Sequence, residues 1–495
     1  MPANTIYELP EMPDIFREMV ILLSNKHRKA TPSMILNMVI CKTAFALTSK
    51  RVQYKEIEKL GFPNWYTVIF AYSGCGKDRI DEDLDNYFFK NFRLWFETKV
   101  QEWYEQQVRC IENIADDMFN SDKASDLSKK KAYITQEKSK IRELVFEVYN
   151  GTPEGIFEEA KIRSKYKLGA IFIKMTEFAK YFLNSKTEDK QFFSLLLIAY
   201  GGKYPSKCTK NDKREKDIIG VPLNCLLMCD ISLFEPPKAR QELMLELQTG
   251  FARRSMITFI PRIKLLNNID VKQALEDDKN FYKNADIINE EFIKIFSRID
   301  DYSIYDMPEE VILHIKEYEK ELNILANETD NELLRKEILD RQLKSIKLAT
   351  IFAAFSHSEK IITMTDIKQA IGVIEYLSKD FKAFVNHKPR HIDKYDELFN
   401  FFLENENKHF TKMQIIKKAQ LFGFSQRKLS DDFENAIDFI INYADDAGYN
   451  FLSRPCNHNS GMEYWLSKKI DDNEIGHKTL TNIIIENPKN PQNAA

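Results

Sequence analysis

No stretch of this sequence keeps apolar residues together for the ~18 positions that a membrane-crossing helix needs. The first residues, Glu8 and Glu11 among them, lack the basic start and apolar centre of a secretory leader. The expected location is therefore the cytoplasm, that of a host cell if the protein is viral. Cysteines are few and scattered: Cys41, Cys75, Cys110, Cys208, Cys225, Cys229 and Cys456. An odd, dispersed set argues against a disulfide framework and fits a reducing compartment. Cys225 and Cys229 sit in an apolar run, with no His or Cys pair nearby to complete a zinc site, so they read as core residues. An excess of charge is missing too. The formal net charge is −3, which removes any global pull toward nucleic acid and leaves DNA contact to local patches.

What is present is ordinary globular material, 43% hydrophobic and 30% charged over 495 residues, enough for several domains. Its most informative stretch begins at Trp65. Trp65, Tyr66, Thr67, Val68, Ile69 and Phe70 predict a buried strand, Ser73, Gly74, Cys75 and Gly76 a tight loop, and Lys77 to Phe89 a helix. Strand, glycine loop with a terminal lysine, and helix can together hold a phosphate chain. Backbone N–H groups and the helix N-terminus face it, and the lysine reaches the outer phosphates. The match to the P-loop pattern G-x-x-x-x-G-K-[ST] is partial: Gly76 and Lys77 fit, Ala71 stands at the first glycine, and Asp78 replaces the Ser or Thr that would bind Mg²⁺. The competing reading is an ordinary strand-to-helix turn with Lys77 as a solvated surface charge.

Downstream, Gly169 to Glu177 forms an apolar strand ending in an acid, where an NTPase places a metal-holding Asp and a water-activating Glu. Glu177 suits the second role, or caps the next helix; Thr176 stands where the Asp belongs. Mg²⁺ takes oxygen ligands and keeps several waters, so one hydroxyl and one carboxylate suffice. Asp78 and Thr176 then amount to an exchange that retains one of each, the alternative being a decayed site that binds nucleotide without hydrolysing it. From Lys203 to Lys216 six basic residues (Lys203, Lys207, Lys210, Lys213, Arg214 and Lys216) face two acidic ones, Asp212 and Glu215. That run is a solvated hairpin, or a loop that grips a nucleic-acid backbone in the pore of a ring. Pro222 to Ile231 and Met256 to Ile260 predict further strands of a parallel sheet, with Asp230 and Ser232 at the ligand-binding carboxyl end. Arg254 is a candidate arginine finger toward a neighbour's γ-phosphate, or half of an internal salt bridge.

In their order these features resemble a family of helicase-like P-loop ATPases found beside, or fused to, primases in bacteriophages and mobile elements. The matching pieces are Ser73 to Lys77, a helical insertion, Thr152-Pro153-Glu154, the strand ending in Glu177, Tyr200-Gly201-Gly202 with its basic loop, and Gly250 to Arg254 before Pro261. They span residues 60–262, about 40% of the chain. The resemblance implies nucleotide binding at Lys77, catalysis by Glu177 and a role in replication.

The remaining segments complete the expectation: an α/β P-loop NTPase core with a mostly parallel sheet at 61–262, behind an N-terminal helical segment (1–60) in which no chemistry is evident. A helical hairpin is inserted at 90–148, with Thr152 capping the next helix. Residues 263–388 predict an α-helical lid, with Thr363 or Thr365 as a helix cap and Arg341 as a nucleotide sensor or a surface salt bridge. Residues 389–470 predict a winged-helix-like domain of three helices and two strands, although acidic residues outnumber basic ones there, which suits protein contact as well as DNA. A flexible tail follows at 471–495. The functional expectation is an ATP- and Mg²⁺-dependent, helicase-like motor on single-stranded DNA, working as a homo-oligomeric ring with a primase as possible partner. The alternative is a catalytically silent protein that keeps the fold and binds partners.

Overall fold

The computed structural model describes residues 8–119, 124–149, 152–165, 169–179, 187–205, 217–234, 237–261, 271–387, 398–421, 433, 437, 440–441, 444, 449–456 and 461–468. The chain divides into two units, Met1–His387 and Lys388–Ala495. No helix among the described residues is long and apolar enough to cross a membrane.

The first unit opens with helices α1 (Asp14–Lys26) and α2 (Pro32–Ser49). The Thr31 hydroxyl accepts the Met34 N–H at 3.3 Å and Pro32 takes the first helical position, a strong start signal. α2 is buried on every side from Ser33 to Ser49, as its nearly all-round apolar sequence requires. Then come strands β1 (Gln53–Glu56), β2 (Lys59–Gly61) and β3 (Tyr66–Ala71) and helix α3 (Lys77–Asp83), which runs through a π turn at Leu84–Phe88 toward α4 (Lys90–Met118). α5 (Ala124–Lys138), β4 (Val148–Tyr149), α6 (Pro153–Lys165), β5 (Ile171–Met175) and α7 (Thr187–Ala199) follow. Next are β6 (Lys203–Tyr204), β7 (Ile218–Ile219), β8 (Leu223–Asp230), α8 (Pro237–Glu246) and β9 (Met256–Ile260). The unit closes with α9 (Val271–Arg298), β10 (Ile304–Asp306), α10 (Glu309–Asn327), α11 (Glu332–Leu339), α12 (Arg341–Ser356) and α13 (Met364–Val385).

Five of these strands form one parallel sheet in the order β4-β5-β8-β3-β9. Both faces are covered, so its central strands are apolar almost throughout. Ile69, Leu226 and Met256 point to a core shared with α1, α2 and α4; Val68, Leu227 and Phe259 point to a second core shared with α6, α7 and α8. The chain leaves β3 along the first face, through α3 and α4, to the far edge at β4. It returns along the second face through β5 and β8 and ends at β9, on the other side of β3. Connections from β3 and β8 thus depart on opposite faces, and a crevice opens at their carboxyl ends, the usual ligand position in such sheets. Asn37 of α2 pins the sheet from beneath. Its amide donates to the Met256 carbonyl and the Thr258 hydroxyl, both at 3.0 Å, and its oxygen accepts from Trp65 Nε1 (3.0 Å) and Thr67 (2.9 Å).

The expected strands leading to the glycine loop, to Glu177 and to Asp230, and the one from Met256, are all present, as are the caps at Thr152, whose hydroxyl accepts the Gly155 N–H, and at Thr363, which forms a full capping box with Asp366. The α4–α5 hairpin is present as well, tied by Lys138 to Glu112 at 2.8 Å. Four details differ. The first turns of α4 belong to the main core, where Phe92 and Phe96 pack on Phe45. The two-residue strand β4 was not expected, being too short for a periodicity to register. Helices α9 to α13 share the sheet's cores, with Phe384 stacked on Phe70 at 4.5 Å. Arg341 lies inside rather than at the surface: it pairs with Glu337 and Glu375, each at 2.8 Å, and Glu337 also takes Lys344.

The second unit has a helix at 398–404, α14 (Lys412–Leu421) and a three-stranded antiparallel sheet in which β13 (Met462–Lys468) lies between β11 (Phe410–Thr411) and β12 (Tyr449–Pro455). Phe399, Phe402, Ile415 and Leu466 form its core. Most of the expected third helix, Gln426 to Ala444, and the tail at 471–495 lie outside the described residues.

Candidate functional site

β3 delivers the chain to the crevice at Ala71, level with Asp230 of β8. The Asp230 carboxylate accepts the Ser73 N–H at 3.2 Å through one oxygen and the Ser232 N–H at 3.0 Å through the other, which fastens the loop to the neighbouring strand. Gly74 (φ +88°) and Gly76 (φ +91°) turn the chain in the left-handed region, which a side chain would strain. At Gly76 a Cβ would also come within 3.9 Å of His27 Nδ1. Next comes Lys77, only 7% exposed and with no carboxylate in ion-pair range among the described residues. It faces a cavity of about 650 Å³ lined by Ser73 to Arg79. Burial pushes the Cys75 thiol up, so it is no ready nucleophile.

The opposite wall of that cavity comes from the turn between α1 and α2, residues Asn25 to Lys29, with Ala274 and Asp278 of α9. This is the part of the site that sequence reasoning missed. The available signal was four consecutive basic residues, Lys26-His27-Arg28-Lys29, directly after a helix. Asp83 of α3 holds this turn against the loop. Its carboxylate lies 2.6 Å from His27 Nε2 and 2.8 Å from Lys26 Nζ, and Lys26 also donates to the Tyr282 hydroxyl at 3.3 Å. Burial works to raise the Asp83 carboxyl, but the bonds from His27 and Lys26 outweigh it and keep it below the ordinary range. Arg28 pairs with Asp277 of α9.

Behind α3 lies a buried ionic cluster. Lys42 Nζ is 2.6 Å from Asp85, 2.7 Å from Glu147 and 3.1 Å from Asp81. Lys174 of β5 pairs with Asp81 and lies 3.6 Å from Glu147, which also accepts the Tyr149 hydroxyl at 2.6 Å. Asp81 is one helical turn beyond Lys77, and Lys174 is three residues before Glu177. The pair therefore braces the loop's helix against β5 across the intervening strand.

Of the residues expected at the site, Ser73, Gly74, Cys75, Gly76, Lys77 and Asp78 all line the cavity. Thr176 and Glu177 do not: they are exposed just past the end of β5. β8 separates β5 from β3, so Lys77 and Glu177 follow strands two spacings apart, about 10 Å, rather than adjacent ones. Arg254 precedes β9 and so sits at the amino end of the parallel sheet, away from its own chain's loop. Its Nη1 donates to the Gly250 carbonyl at 3.0 Å, and burial and Arg253 lower its pKa; Arg253 is the one that meets a carboxylate, Asp340, at 3.5 Å. Lys203 pairs with Asp217 at 3.2 Å at the base of the β6–β7 hairpin, and Lys207, Lys210, Lys213 and Arg214 lie outside the described residues. Among the described residues no three His, Cys, Asp or Glu side chains converge to hold a metal unaided. Compared with known proteins, the chain matches no family model and no curated protein.

Proposed function

We propose that this protein is a P-loop ATPase of the helicase-like kind, acting on DNA in the replication of a phage or mobile element. The observation that carries the reading is Lys77. Its side chain is largely packed out of solvent, it meets no carboxylate in ion-pair range among the described residues, and its ammonium is left to the cavity, where an anion would meet it. Here it is set at the end of a glycine loop, at the switch point of a parallel sheet, facing a cavity of about 650 Å³, room enough for a triphosphate. In this reading Lys77 and the Ser73–Gly76 amides hold the phosphates, and Glu177 orients the attacking water from the end of β5. Asp78, exposed on the cavity, fits Mg²⁺, which needs only one or two carboxylates beside substrate oxygens; the ion would neutralise phosphate charge, with Thr176 serving it through water. Arg254, at the far end of the sheet, acts on a neighbouring subunit in a ring, and the basic hairpin and the winged-helix-like unit make the DNA and partner contacts, a primase among the partners the resemblance implies.

The second reading, a silent fold that binds partners, draws on Glu177 lying outside the cavity lining. ATP turnover by purified protein with and without single-stranded DNA separates the two. DNA-stimulated turnover that disappears in Lys77→Met is expected; a wild-type protein that binds ATP without turnover favours the silent fold, and one that does not bind ATP ends the nucleotide reading.

A further inference from the structure

The cavity over the loop carries cations from two separate segments. Lys26 and Arg28 are committed to Asp83 and Asp277, whereas Lys29, Lys77 and Arg79 meet no carboxylate in ion-pair range among the described residues. Lys29 and Arg79 are exposed, on opposite walls from one another, and Lys77 is buried between loop and sheet. The rest of the lining is small, polar or acidic, with the carboxylates of Asp78, the proposed Mg²⁺ ligand, and of Asp278 on the facing wall. Among the described residues it includes no Phe, Tyr, Trp or large aliphatic side chain, and the nearby rings of Tyr87 and Tyr282 are turned to the Lys26 ammonium at 5.4 and 4.6 Å. A site that discriminates between bases needs an apolar slot for the ring or fixed polar groups matched to its edge. The visible lining offers charge instead, and charge reads phosphate.

We propose that the site recognises its ligand as a polyphosphate gripped from both walls, by Lys77 on one side and by Lys29 and Arg79 at the mouth, with little regard to the base. The proposal rests on the phosphate-site reading of the loop and assigns the α1–α2 turn a part in it. The three uncommitted cations outnumber the two carboxylates of the described lining and can each meet a phosphate oxygen, and the contacts they make are the same whichever nucleoside hangs beyond the chain. The ligand class is therefore nucleoside triphosphates generally, with inorganic tripolyphosphate as the minimal member.

Calorimetric titration of the full chain with Mg²⁺ and, in turn, tripolyphosphate, ATP, GTP and CTP tests this. The four are expected to bind within about tenfold of one another, and Lys29→Ala with Arg79→Ala to weaken all four alike by roughly ten- to a hundredfold. Both side chains are exposed, so the double variant is expected to melt as the wild type does. ATP binding about a hundredfold tighter than the other three would overturn base-blind recognition while leaving the phosphate site intact. Unchanged affinity in the double variant, beside loss in Lys77→Met, would remove the second wall. No binding of any of the four by wild type would end the phosphate-site reading itself, and this proposal with it.

Discussion

Lys77 differs from the other buried cations of the first unit in what it meets. Lys42 has three carboxylates, Lys344 has Glu337, and Lys50 donates to the Phe296 and Ile299 carbonyls at 2.8 and 2.6 Å. Lys77 has the loop and the cavity. Removing its charge should therefore disable the site while leaving the fold intact: Lys77→Met is predicted to change stability by less than about 0.5 kcal/mol and to abolish ATP binding. Denaturant melts with and without nucleotide check this. A variant that is destabilised without ligand, or that still binds ATP, would show that Lys77 serves packing instead. At this scale much was legible. Gly76, Lys77 and Asp78 are adjacent in sequence, so the loop's chemistry can be read locally. The contribution of Asn25 to Lys29 could not, because nothing in those residues indicates that Asp83 and Asp277 will carry them to a loop about 50 residues away.

Among elements, the brace between α3 and β5 is the clearest link between stability and the site. Lys42, Asp81 with Asp85, Glu147 and Lys174 come from four separate segments of the chain, so sequence reasoning passed over them all. The strands were easier: Tyr66–Ala71, Leu223–Asp230 and Met256–Ile260 are buried on both sides and so read as plain apolar runs. Taking Lys42 away leaves buried carboxylates short of a partner, and Lys42→Met is predicted to cost about 3–5 kcal/mol in chemical denaturation. The cluster also titrates. Burial, with Asp81 and Glu147 beside it, pushes the Asp85 carboxyl up to about 6 against the pull of Lys42. Between the ordinary carboxylate range and pH 6 the folded chain thus keeps a proton that the unfolded chain has released, so this group's contribution to stability falls as pH rises through that window. Glu147 runs the other way: burial favours the acid, but Lys42 and Lys174 hold it down at about 2, and the stability it adds is lost only as pH drops from the ordinary range toward 2. Asp85→Asn should flatten the decline in melting temperature from about pH 4 to 6. An unaltered slope there would mean that the proton is taken up elsewhere.

For the whole molecule, the distance between Lys77 and Arg254 has a direct consequence. They mark the two ends of one parallel sheet, so no single chain brings them together. If Arg254 completes a neighbour's site, Lys77→Met and Arg254→Ala should each lack turnover alone, and mixing them should restore part of it, because some interfaces then pair an intact loop with an intact arginine. Size-exclusion chromatography coupled to light scattering, run on the same mixture, would report the assembly. Silence in the mixture despite assembly would assign Arg254 to its bond with the Gly250 carbonyl and its place over the Tyr200 ring, 5.8 Å away, alone.

Asn37 ties the order of synthesis to the order of folding. Its four hydrogen-bonding partners are spread from Trp65 to Thr258, so a helix finished early at the ribosome waits for more than 200 further residues before its polar group is satisfied. The five-stranded parallel sheet therefore cannot be excised as residues 61–262. Such a piece would leave behind α2, with the apolar floor it gives the sheet, and would emerge with that face covered only in part, by α3 and α4, and prone to aggregate.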